Sequence, residues 1–364
     1  MIRKLISRVF GGHRAEASHH EPAVIPVSSH HITRDRISSG SRRVCETLQE
    51  RGHKAYVVGG AVRDLLIGAE PKDFDVATDA TPEEVRRYFR RSRIIGRRFQ
   101  IVHVMMGQET LEVTTFRGAL AEDTKKDEHG RVLHDNVFGS QAEDAARRDF
   151  TANALYYAIE DFSVRDYVGG FADVQARVLR LIGEPEARYR EDPVRMLRAA
   201  RLAAKLGFTI APATAEPIAR LAPLLADASP ARLFEETLKM FLSGHAVASF
   251  ELLEAHGLLP VLLPETAQAL QSNKSGALRR MLVQGLRNTD ARVHADQPVS
   301  PAFLYAVLLW PAYCRALALL QAQGVHAAEA QRRAADRVTL HQVARIALPR
   351  RFSQPMQEIW LLQP

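Results

Sequence analysis

The most constraining feature of this chain is a short segment, residues 56–76, in which an apolar run leads into two closely spaced acids. Residues 56–58 predict a buried strand, and residues 61–67 have the apolar pattern of a short helix. The segment then ends in Asp73-Phe74-Asp75-Val76. Because side chains alternate along a strand, we expect Asp73 and Asp75 on one face and the apolar pair on the other.

This pair of acids predicts a metal and phosphate site. Two neighbouring carboxylates repel each other unless a cation lies between them, and a pair of divalent ions about 3.5–4 Å apart is a common reason for such a pair. Gly59 and Gly60 allow close approach of a backbone, and the helix start after them offers N–H groups to an anion. A surface loop or an ordinary turn explains each feature alone. Their combination with Arg63 favours phosphate binding, although no Walker A sequence is present.

These residues carry a family resemblance. VVGGAVRDLL at 57–66, followed by KDFDVAT at 72–78, resembles the signature of the class II nucleotidyltransferases of the polymerase-beta superfamily. That family includes tRNA CCA-adding enzymes and bacterial poly(A) polymerases. GRRFQIVHV at 96–104 is more similar to the poly(A) polymerase branch. The resemblance extends roughly from residue 32 to the end of the chain.

The resemblance implies an α+β fold: a nucleotidyltransferase head with a small mixed sheet, followed by an all-α neck, body and partial tail. We expect a flexible N-terminal arm at 1–35, a head (palm) domain at 36–183, a neck that recognises the nucleotide base at 184–245, and an RNA-binding body with part of a tail at 246–364. The tail is expected to be partial because similar poly(A) polymerases continue with more helices.

A second motif, EDAARRDFTAN at 143–153, resembles the RRDFTxN sequence of the family. The resemblance implies that Asp149 completes the acidic site. Two adjacent guanidinium groups, those of Arg147 and Arg148, suit triphosphate oxygens, and Asn153 can hydrogen-bond a ribose or a base. The alternative is a structural arginine–aspartate cluster at a helix end.

A third motif, EDPVR, begins at Glu191 and resembles the E-D-x-x-R sequence of the family. The resemblance implies that Asp192 and Arg195 read the edge of adenine, since an acceptor beside a donor matches that base. Arg198 extends the basic face of the same predicted helix. A plain salt bridge between Glu191 and Arg195, four residues apart, is the alternative.

Four further side chains are expected to support the site. Glu112 could add a third acid near the metal, although a salt bridge to an arginine explains it equally well. Arg117 follows the same predicted strand. Arg232 and Glu235, through the resemblance, brace the base-reading helix. Residues 121–133 are charged and lack periodicity, which indicates a flexible flap.

Composition limits the partners. The net charge of +7 and the pI of about 9.6 favour a polyanion. With only Cys45 and Cys314, the sequence excludes a disulfide framework and a cysteine-rich structural zinc site. We expect no apolar run that approaches the ~20 residues of a membrane span. Residues 2–10 form a basic amphipathic pattern, which predicts either a frayed terminal helix or weak contact with the inner membrane or a protein.

Taken together, the motifs and the resemblance imply a bacterial cytoplasmic enzyme that adds AMP from ATP to RNA 3′ ends without a template. Asp73 and Asp75 are expected to hold two Mg²⁺ ions. One alternative is CCA addition to tRNA by the same chemistry. The other is an inactive RNA-binding homologue. Helix patterns continue from residue 214 onward, and arginines in the last of them predict contact with the RNA backbone.

Overall fold

A computed structural model describes residues 21–96, 99–118 and 137–363. Helices and a mixed sheet are both present, so the α+β expectation is confirmed. The chain forms two compact units. Among the described residues, the first unit comprises those up to 118, 137–148 and 152–171, and the second comprises 149–151 and 172–363. The first unit therefore ends earlier than the predicted head boundary at residue 183.

The first unit is built on an eight-stranded mixed sheet. In chain order its strands are β1 Ala23–Ile25, β2 Ala55–Val58, β3 Asp75–Thr78, β4 Ser92–Ile95, β5 Ile101–Met106, β6 Glu109–Thr115, β7 Leu155–Tyr157 and β8 Val164–Asp166. They lie in the order β1-β8-β7-β2-β3-β6-β5-β4. The β3–β6 pair is parallel, and the other neighbouring pairs are antiparallel.

The helices of this unit are short. They are α1 Val27–His30, α2 Ser39–Glu50, α3 Gly60–Leu66, α4 Pro82–Tyr88, α5 Gln141–Arg147 and α6 Gly170–Gln175, which begins in this unit and ends in the second. Helix α4 begins with a capping box. The Thr81 hydroxyl accepts a hydrogen bond from the Glu84 N–H, and the Glu84 carboxylate accepts one from the Thr81 N–H. This capping box satisfies N–H groups that have no partner within the helix.

The strand register aligns four polar side chains in one row. Arg93 on β4 lies opposite His103 on β5, His103 lies opposite Glu112 on β6, and Glu112 lies opposite Asp75 on β3. Directly opposed residues project from the same face of a sheet. We call these four residues the polar row. Their neighbours along β5 and β6 are buried valines and a leucine, so the other face of the sheet contributes to the core.

The prediction of a flexible arm is wrong for residues 21–35. Strand β1 pairs with β8, from Ala23 opposite Asp166 to Ile25 opposite Val164. His30 is buried, with Nε2 3.0 Å from the carbonyl oxygen of Phe162. This segment therefore belongs to the sheet. The rest of the predicted arm, residues 1–20, lies outside the described residues, as does the predicted flap at 121–133.

The second unit contains a short parallel ribbon and a series of helices. Its strands are β9 Val178–Leu179 and β10 Thr209–Ile210. Its helices are α7 Pro185–Glu191, α8 Val194–Leu206, α9 Pro212–Ala215, α10 Ile218–Leu221, α11 Pro230–Phe241, α12 Ala246–Ala255, α13 Leu259–Leu262, α14 Pro264–Ser272, α15 Ala277–His294, α16 Pro301–Ala322, α17 Ala327–Arg345 and α18 Arg350–Leu361.

The central helix of this unit corrects one expectation. Helix α16 is 22 residues long and apolar enough to cross a membrane by length and composition, so the prediction of no such run is wrong. Its contacts account for its composition, because it packs against α14, α15, α17 and α18. The Trp360 indole donates to the carbonyl of Ala306, and its ring stacks on Tyr313 with centroids 5.0 Å apart. Helix α16 is thus the core of a helical bundle.

Candidate active site

The glycine pair lies where β2 turns into α3. Gly59 has φ of +81°, a conformation that side chains rarely adopt, and its N–H donates to the carbonyl of Leu155 at 3.1 Å. Gly60 is the first residue of α3. The conformation at Gly59 explains the residue type there, and the turn brings the end of β2 and the start of α3 beside β7.

The two acids lie at the start of β3. Asp75 is its first residue and is partly buried, whereas Asp73 precedes the strand and is exposed. Phe74 and Val76 between and after them are buried, which confirms the predicted alternation of acidic and apolar side chains. Within the described parts of the chain, neither carboxylate makes a hydrogen bond or an ion pair. These acids therefore face each other's charge without a described protein cation in direct contact with either of them.

The pKa of Asp75 is consistent with the absence of a direct cationic partner. Burial and then the carboxylate of Glu112 raise the pKa of Asp75 to about 6, with a smaller contribution from Asp73 and partial opposition from Arg148. Glu112 itself is half exposed, and its Oε1 lies 3.4 Å from Nε2 of His103. The side chain beside the Glu112 carboxylate is therefore a histidine, not the arginine that the alternative interpretation expected. The polar row thus places two acids side by side on neighbouring strands.

The acids fit a magnesium ion that is shared with a substrate. No group of three or more acidic, histidine or cysteine side chains within the described ranges is arranged to hold a metal alone. Mg²⁺ usually binds one or two carboxylates and completes its shell with water and substrate phosphates. Asp73 and Asp75 supply that number of carboxylates. A bound cation would also relieve the repulsion that raises the pKa of Asp75.

Arg63 is not placed to contact phosphate. Its residue is only 4% exposed, and its guanidinium donates to Asp64 Oδ1 at 2.9 and 2.6 Å and to the side-chain oxygen of Asn153. The predicted phosphate-binding role of Arg63 is thus not supported by its position. Instead, Arg63 holds the Asn153 amide, whose predicted contact with ribose or base stays a prediction.

The two arginines of the second motif differ in their surroundings. Arg147 donates from Nη1 to the carbonyl of Gly118 at 2.5 Å. Arg148 donates from Nε to Asp144 Oδ2 and to the Tyr156 hydroxyl, both at 3.1 Å, and its side chain is 16% exposed. The arginine–aspartate cluster that was the alternative interpretation is therefore present. Phosphate contact by these arginines stays a prediction.

Asp144 organises this cluster and is the residue that sequence reasoning missed. Its side chain is 2% exposed, and it accepts hydrogen bonds from Tyr156 at 2.6 Å and from both N and Nε of Arg117 at 3.2 Å. Burial opposes ionisation here, but Arg148 and Arg117 hold the pKa of Asp144 below its usual range. The spacing of four residues between Asp144 and Arg148 was the available signal.

Asp149 lies in the second unit and is already paired. Its Oδ1 accepts from the N–H of Phe150 at 2.8 Å, and its Oδ2 accepts from the guanidinium of Arg198. Arg198, which was predicted to help recognise the base, thus compensates a carboxylate. The role of Asp149 beside Asp73 and Asp75 stays a prediction.

The third motif forms a set of compensated charges where α7 meets α8. Arg195 Nη1 donates to Glu191 Oε2 at 2.7 Å and to the carbonyl of Arg188 at 2.8 Å. The salt bridge that was the alternative interpretation is therefore present, but it joins two helices, because α7 ends at Glu191 and α8 begins at Val194. The pair fixes the angle between these helices.

Asp192 is held from the next helix. Arg232 on α11 donates to both oxygens of Asp192, at 3.0 and 2.8 Å. Burial raises the pKa of Asp192, but the stronger combined pull of Arg232 and Arg195 leaves it lowered. The expected bracing contact of Arg232 is thus present. The pair borders a cavity of about 170 Å³, lined by Arg190, Glu191, Asp192, Pro193, Leu224, Asp227, Ala228 and Arg232.

The predicted bracing role of Glu235 is wrong by one residue. Glu235 lies on the exposed side of α11 and makes no side-chain hydrogen bond to a described residue. Glu236 is 7% exposed and accepts from Nε of Arg201 on α8 at 2.9 Å. One residue turns a helix by about 100°, so the acid that follows Leu233 by three positions shares its buried side.

Family comparisons agree with these features. The Poly A polymerase head domain matches residues 55–180, the probable RNA and SrmB-binding site of polymerase A matches residues 207–270, and the polymerase A arginine-rich C-terminus matches residues 323–364. The first match contains the acids of β3, and together the three matches cover more than half of the chain.

Whole-chain similarity points to the same family. Poly(A) polymerase I of Escherichia coli O6:H1 is 46% identical over 368 residues, which cover 99% of this chain and 79% of that protein. Poly(A) polymerase I of Haemophilus influenzae is 41% identical over 93% of this chain and 77% of that protein. The CCA-adding enzyme of Bacillus subtilis is 42% identical, but over 56% of this chain and 50% of that protein.

A solved structure has the same fold. The CCA-adding enzyme of Bacillus stearothermophilus in complex with CTP matches with a TM-score of 0.58 and 28% identity, covering 89% of this chain and 82% of that one. The high identity to poly(A) polymerase I extends over almost the whole chain, whereas the identity to CCA-adding enzymes is confined to part of it. This chain belongs to the poly(A) polymerase family of nucleotidyltransferases.

Proposed function

We propose that this enzyme transfers AMP from ATP to the 3′-hydroxyl of RNA without a template. The observation that carries the proposal is the pair of uncompensated carboxylates, Asp73 and Asp75, at the start of β3 in a chain similar to poly(A) polymerase I over almost its whole length. In the reaction, the RNA 3′-hydroxyl loses its proton to solvent and its oxygen forms a bond to the α-phosphorus of ATP. The bond from that phosphorus to the oxygen that bridges to the β-phosphate breaks, and pyrophosphate leaves with that oxygen.

Asp73 and Asp75 are the residues that would hold two Mg²⁺ ions, with Glu112 beside them on β6. When bound, the ions supply a lower pKa for the attacking hydroxyl and neutralise charge on the triphosphate. The turn at Gly59 and Gly60 lets phosphate oxygens approach the backbone. Through the family resemblance, we assign Asp149 a supporting role in the same reaction.

We further propose that the α7–α8 junction selects adenine. Arg232 immobilises the Asp192 carboxylate. Its Oδ1 also accepts from the N–H of Val194 at 3.3 Å, whereas Oδ2 keeps a lone pair after accepting from that guanidinium. Arg195 uses Nη1 in the contacts described above and has other donors left. An acceptor and a donor held this rigidly can meet the donor and acceptor on the edge of adenine. Glu191 holds Arg195 in place and thereby increases the selectivity of this junction for adenine.

We also propose that the second unit binds the RNA substrate. The segment that matches a probable RNA and SrmB-binding site lies there. Arg332, Arg333 and Arg337 on α17 are exposed and can meet RNA phosphates. We place the enzyme in the bacterial cytoplasm. Contact of residues 2–10 with a membrane or protein stays a minor proposal.

The experiment that tests the function supplies one nucleotide at a time. The purified chain is incubated with Mg²⁺, a labelled oligo(A) primer and either ATP or CTP, and the products are sized. We expect a long ladder with ATP and almost no extension with CTP. One or two additions, or use of CTP on a tRNA that lacks its end, would establish CCA addition instead. No extension by either nucleotide would support the inactive RNA-binding alternative.

A further inference from the structure

The head carries an arginine-rich surface that none of the three motifs uses. Helix α4, strand β4 and the segment that joins them contain five arginines between residues 86 and 93, and every one is exposed. We call them the arginine edge: Arg86, Arg87, Arg90, Arg91 and Arg93. Glu83 and Glu84 precede them, so residues 83–93 retain three excess positive charges. Glu84 is already engaged in the capping box of α4.

Most of these arginines are uncompensated. The side chains of Arg86, Arg90, Arg91 and Arg93 make no hydrogen bond or ion pair with any residue in the described ranges. Arginines kept for stability are usually paired with carboxylates, as Arg117 is in this same unit. An unpaired cluster of like charge repels itself, and a polyanion that binds across it removes that repulsion.

Part of the surface is held in place by an aromatic ring. The guanidinium carbons of Arg51 and Arg87 each lie 5.2 Å from the centroid of the Tyr88 ring. The Tyr88 hydroxyl is 3.2 Å from both Nε2 of His53 and Nη2 of Arg87. Tyr88 therefore orders two cations beside the arginine edge and lowers the entropy cost of ordering them on a ligand.

The polar row connects this surface to the acids. Strand β4 is an edge strand, and Arg93 shares its row with His103, Glu112 and Asp75. Three strand spacings of about 4.8 Å separate β4 from β3, or roughly 14 Å. At about 3.4 Å of rise per stacked nucleotide, this distance corresponds to roughly four nucleotides.

We propose that the arginine edge binds the phosphate backbone of the RNA primer about four nucleotides before its 3′ end. The inference deepens the proposed function, because the acids at the other end of the polar row define where the 3′ end reacts. Single-stranded RNA fits an exposed edge that offers charge without an apolar groove. Phosphate contacts carry no sequence information, which suits an enzyme that uses no template.

The test measures RNA affinity as a function of salt. Each phosphate contact to a single strand contributes about 0.7 to the slope of log affinity against log salt. The variant Arg90→Gln, Arg91→Gln, Arg93→Gln is compared with the control Arg280→Gln, Arg287→Gln, Arg292→Gln, which removes three exposed charges from α15. Helix α15 lies outside the two C-terminal family matches. Fluorescence anisotropy with labelled oligo(A), without ATP, gives the affinities.

We expect the edge variant to lose about 2 from the magnitude of the slope and the control to keep the wild-type slope. The ratio of the RNA affinity of the wild type to that of the edge variant should then fall roughly 20-fold between 50 and 200 mM salt. The matching triple lysine variant keeps the charges and should keep the slope, which separates loss of charge from misfolding. An unchanged slope in the edge variant, or an equal loss in the control, overturns the proposal.

Primer length gives a second readout. The KM of a primer of about twelve nucleotides should rise in the edge variant, whereas the KM of a trinucleotide primer and the KM of ATP should not change. An equal rise for both primers would contradict the placement upstream of the 3′ end. Failure of the proposed function is distinguishable, because the wild type would then extend neither primer while its salt-dependent RNA binding could still be measured.

Discussion

The acids of β3 and the acids at the α7–α8 junction differ in whether arginines bind them. Asp73 and Asp75 have no protein partner among the described residues, and burial beside Glu112 raises the pKa of Asp75 to about 6. Glu191 and Asp192 are bound by arginines. The difference indicates that the first pair awaits a ligand cation, whereas the second set holds donors and acceptors in fixed positions.

The largest effect is expected from removing an uncompensated acid. Asp75→Asn should lower the rate of AMP incorporation more than about 100-fold, the size seen when one strong transition-state contact is lost. Binding of RNA should not weaken, because Asp75 repels rather than attracts phosphate. Single-turnover kinetics at saturating ATP and primer check this. Wild-type-like turnover would remove Asp75 from the chemistry.

The second effect concerns stability. Glu236→Gln leaves Arg201 without its carboxylate in a site where the two side chains are 9% and 17% exposed, so we expect a loss of about 3 kcal/mol in the free energy of unfolding. Glu235→Gln on the exposed side of the same helix is the matched control and should change it by less than about 0.5 kcal/mol. Urea unfolding measures both. Similar losses would show that the buried pair is not what braces α11.

The third effect is the pH dependence of the β3 acids. The pKa of Asp75 is raised on folding to about 6 from an ordinary value of 3.8, so the folded state binds the extra proton between these values. Stability should therefore rise by about 2–3 kcal/mol as pH falls through this range. The quantity to measure is the free energy of unfolding of the wild type minus that of Asp75→Asn, from urea unfolding in the presence of a chelator. A difference that does not change with pH would mean that Asp75 is not strained by its neighbours.

The smallest effect tests the junction. Arg232→Met should raise the KM of ATP about fivefold and reduce discrimination against CTP, because Asp192 loses its orientation but not its charge. The turnover number should change little, in contrast to the Asp75 variant. Steady-state kinetics with both nucleotides separate these parameters. A large fall in turnover with an unchanged KM would place Asp192 in the chemical step.

Local patterns predicted what local forces control. The strand at residues 56–58, the short helix at 61–67 and the alternation of Asp73 to Val76 all follow from neighbours in sequence. The family resemblance then supplied the reaction, which no spacing alone could give. The pairing of Glu191 with Arg195 was also foreseen, as the plainer alternative.

Distant partners decided what the sequence could not predict. Strand β1 forms because β8, about 140 residues later in the chain, pairs with it. The sequence around β1 does not show this partner, so the segment was predicted to be a flexible arm. Asp144 holds its cluster together through buried hydrogen bonds with Arg117 and Tyr156, which no local pattern predicts. The shift from Glu235 to Glu236 depends on which side of α11 faces α8. Arg63 looked suited to phosphate until its burial against Asp64 was known.

The most direct test of this contrast measures Mn²⁺ binding in the presence of ATP by electron paramagnetic resonance. The variants Asp73→Asn and Asp75→Asn are compared with Glu191→Gln, which removes an acid that is already paired. We predict that the wild type and Glu191→Gln bind Mn²⁺ equally well and that both β3 variants bind it at least tenfold more weakly. Unchanged binding in the β3 variants, or a loss in Glu191→Gln, would contradict the assignment of the metal site to the uncompensated acids.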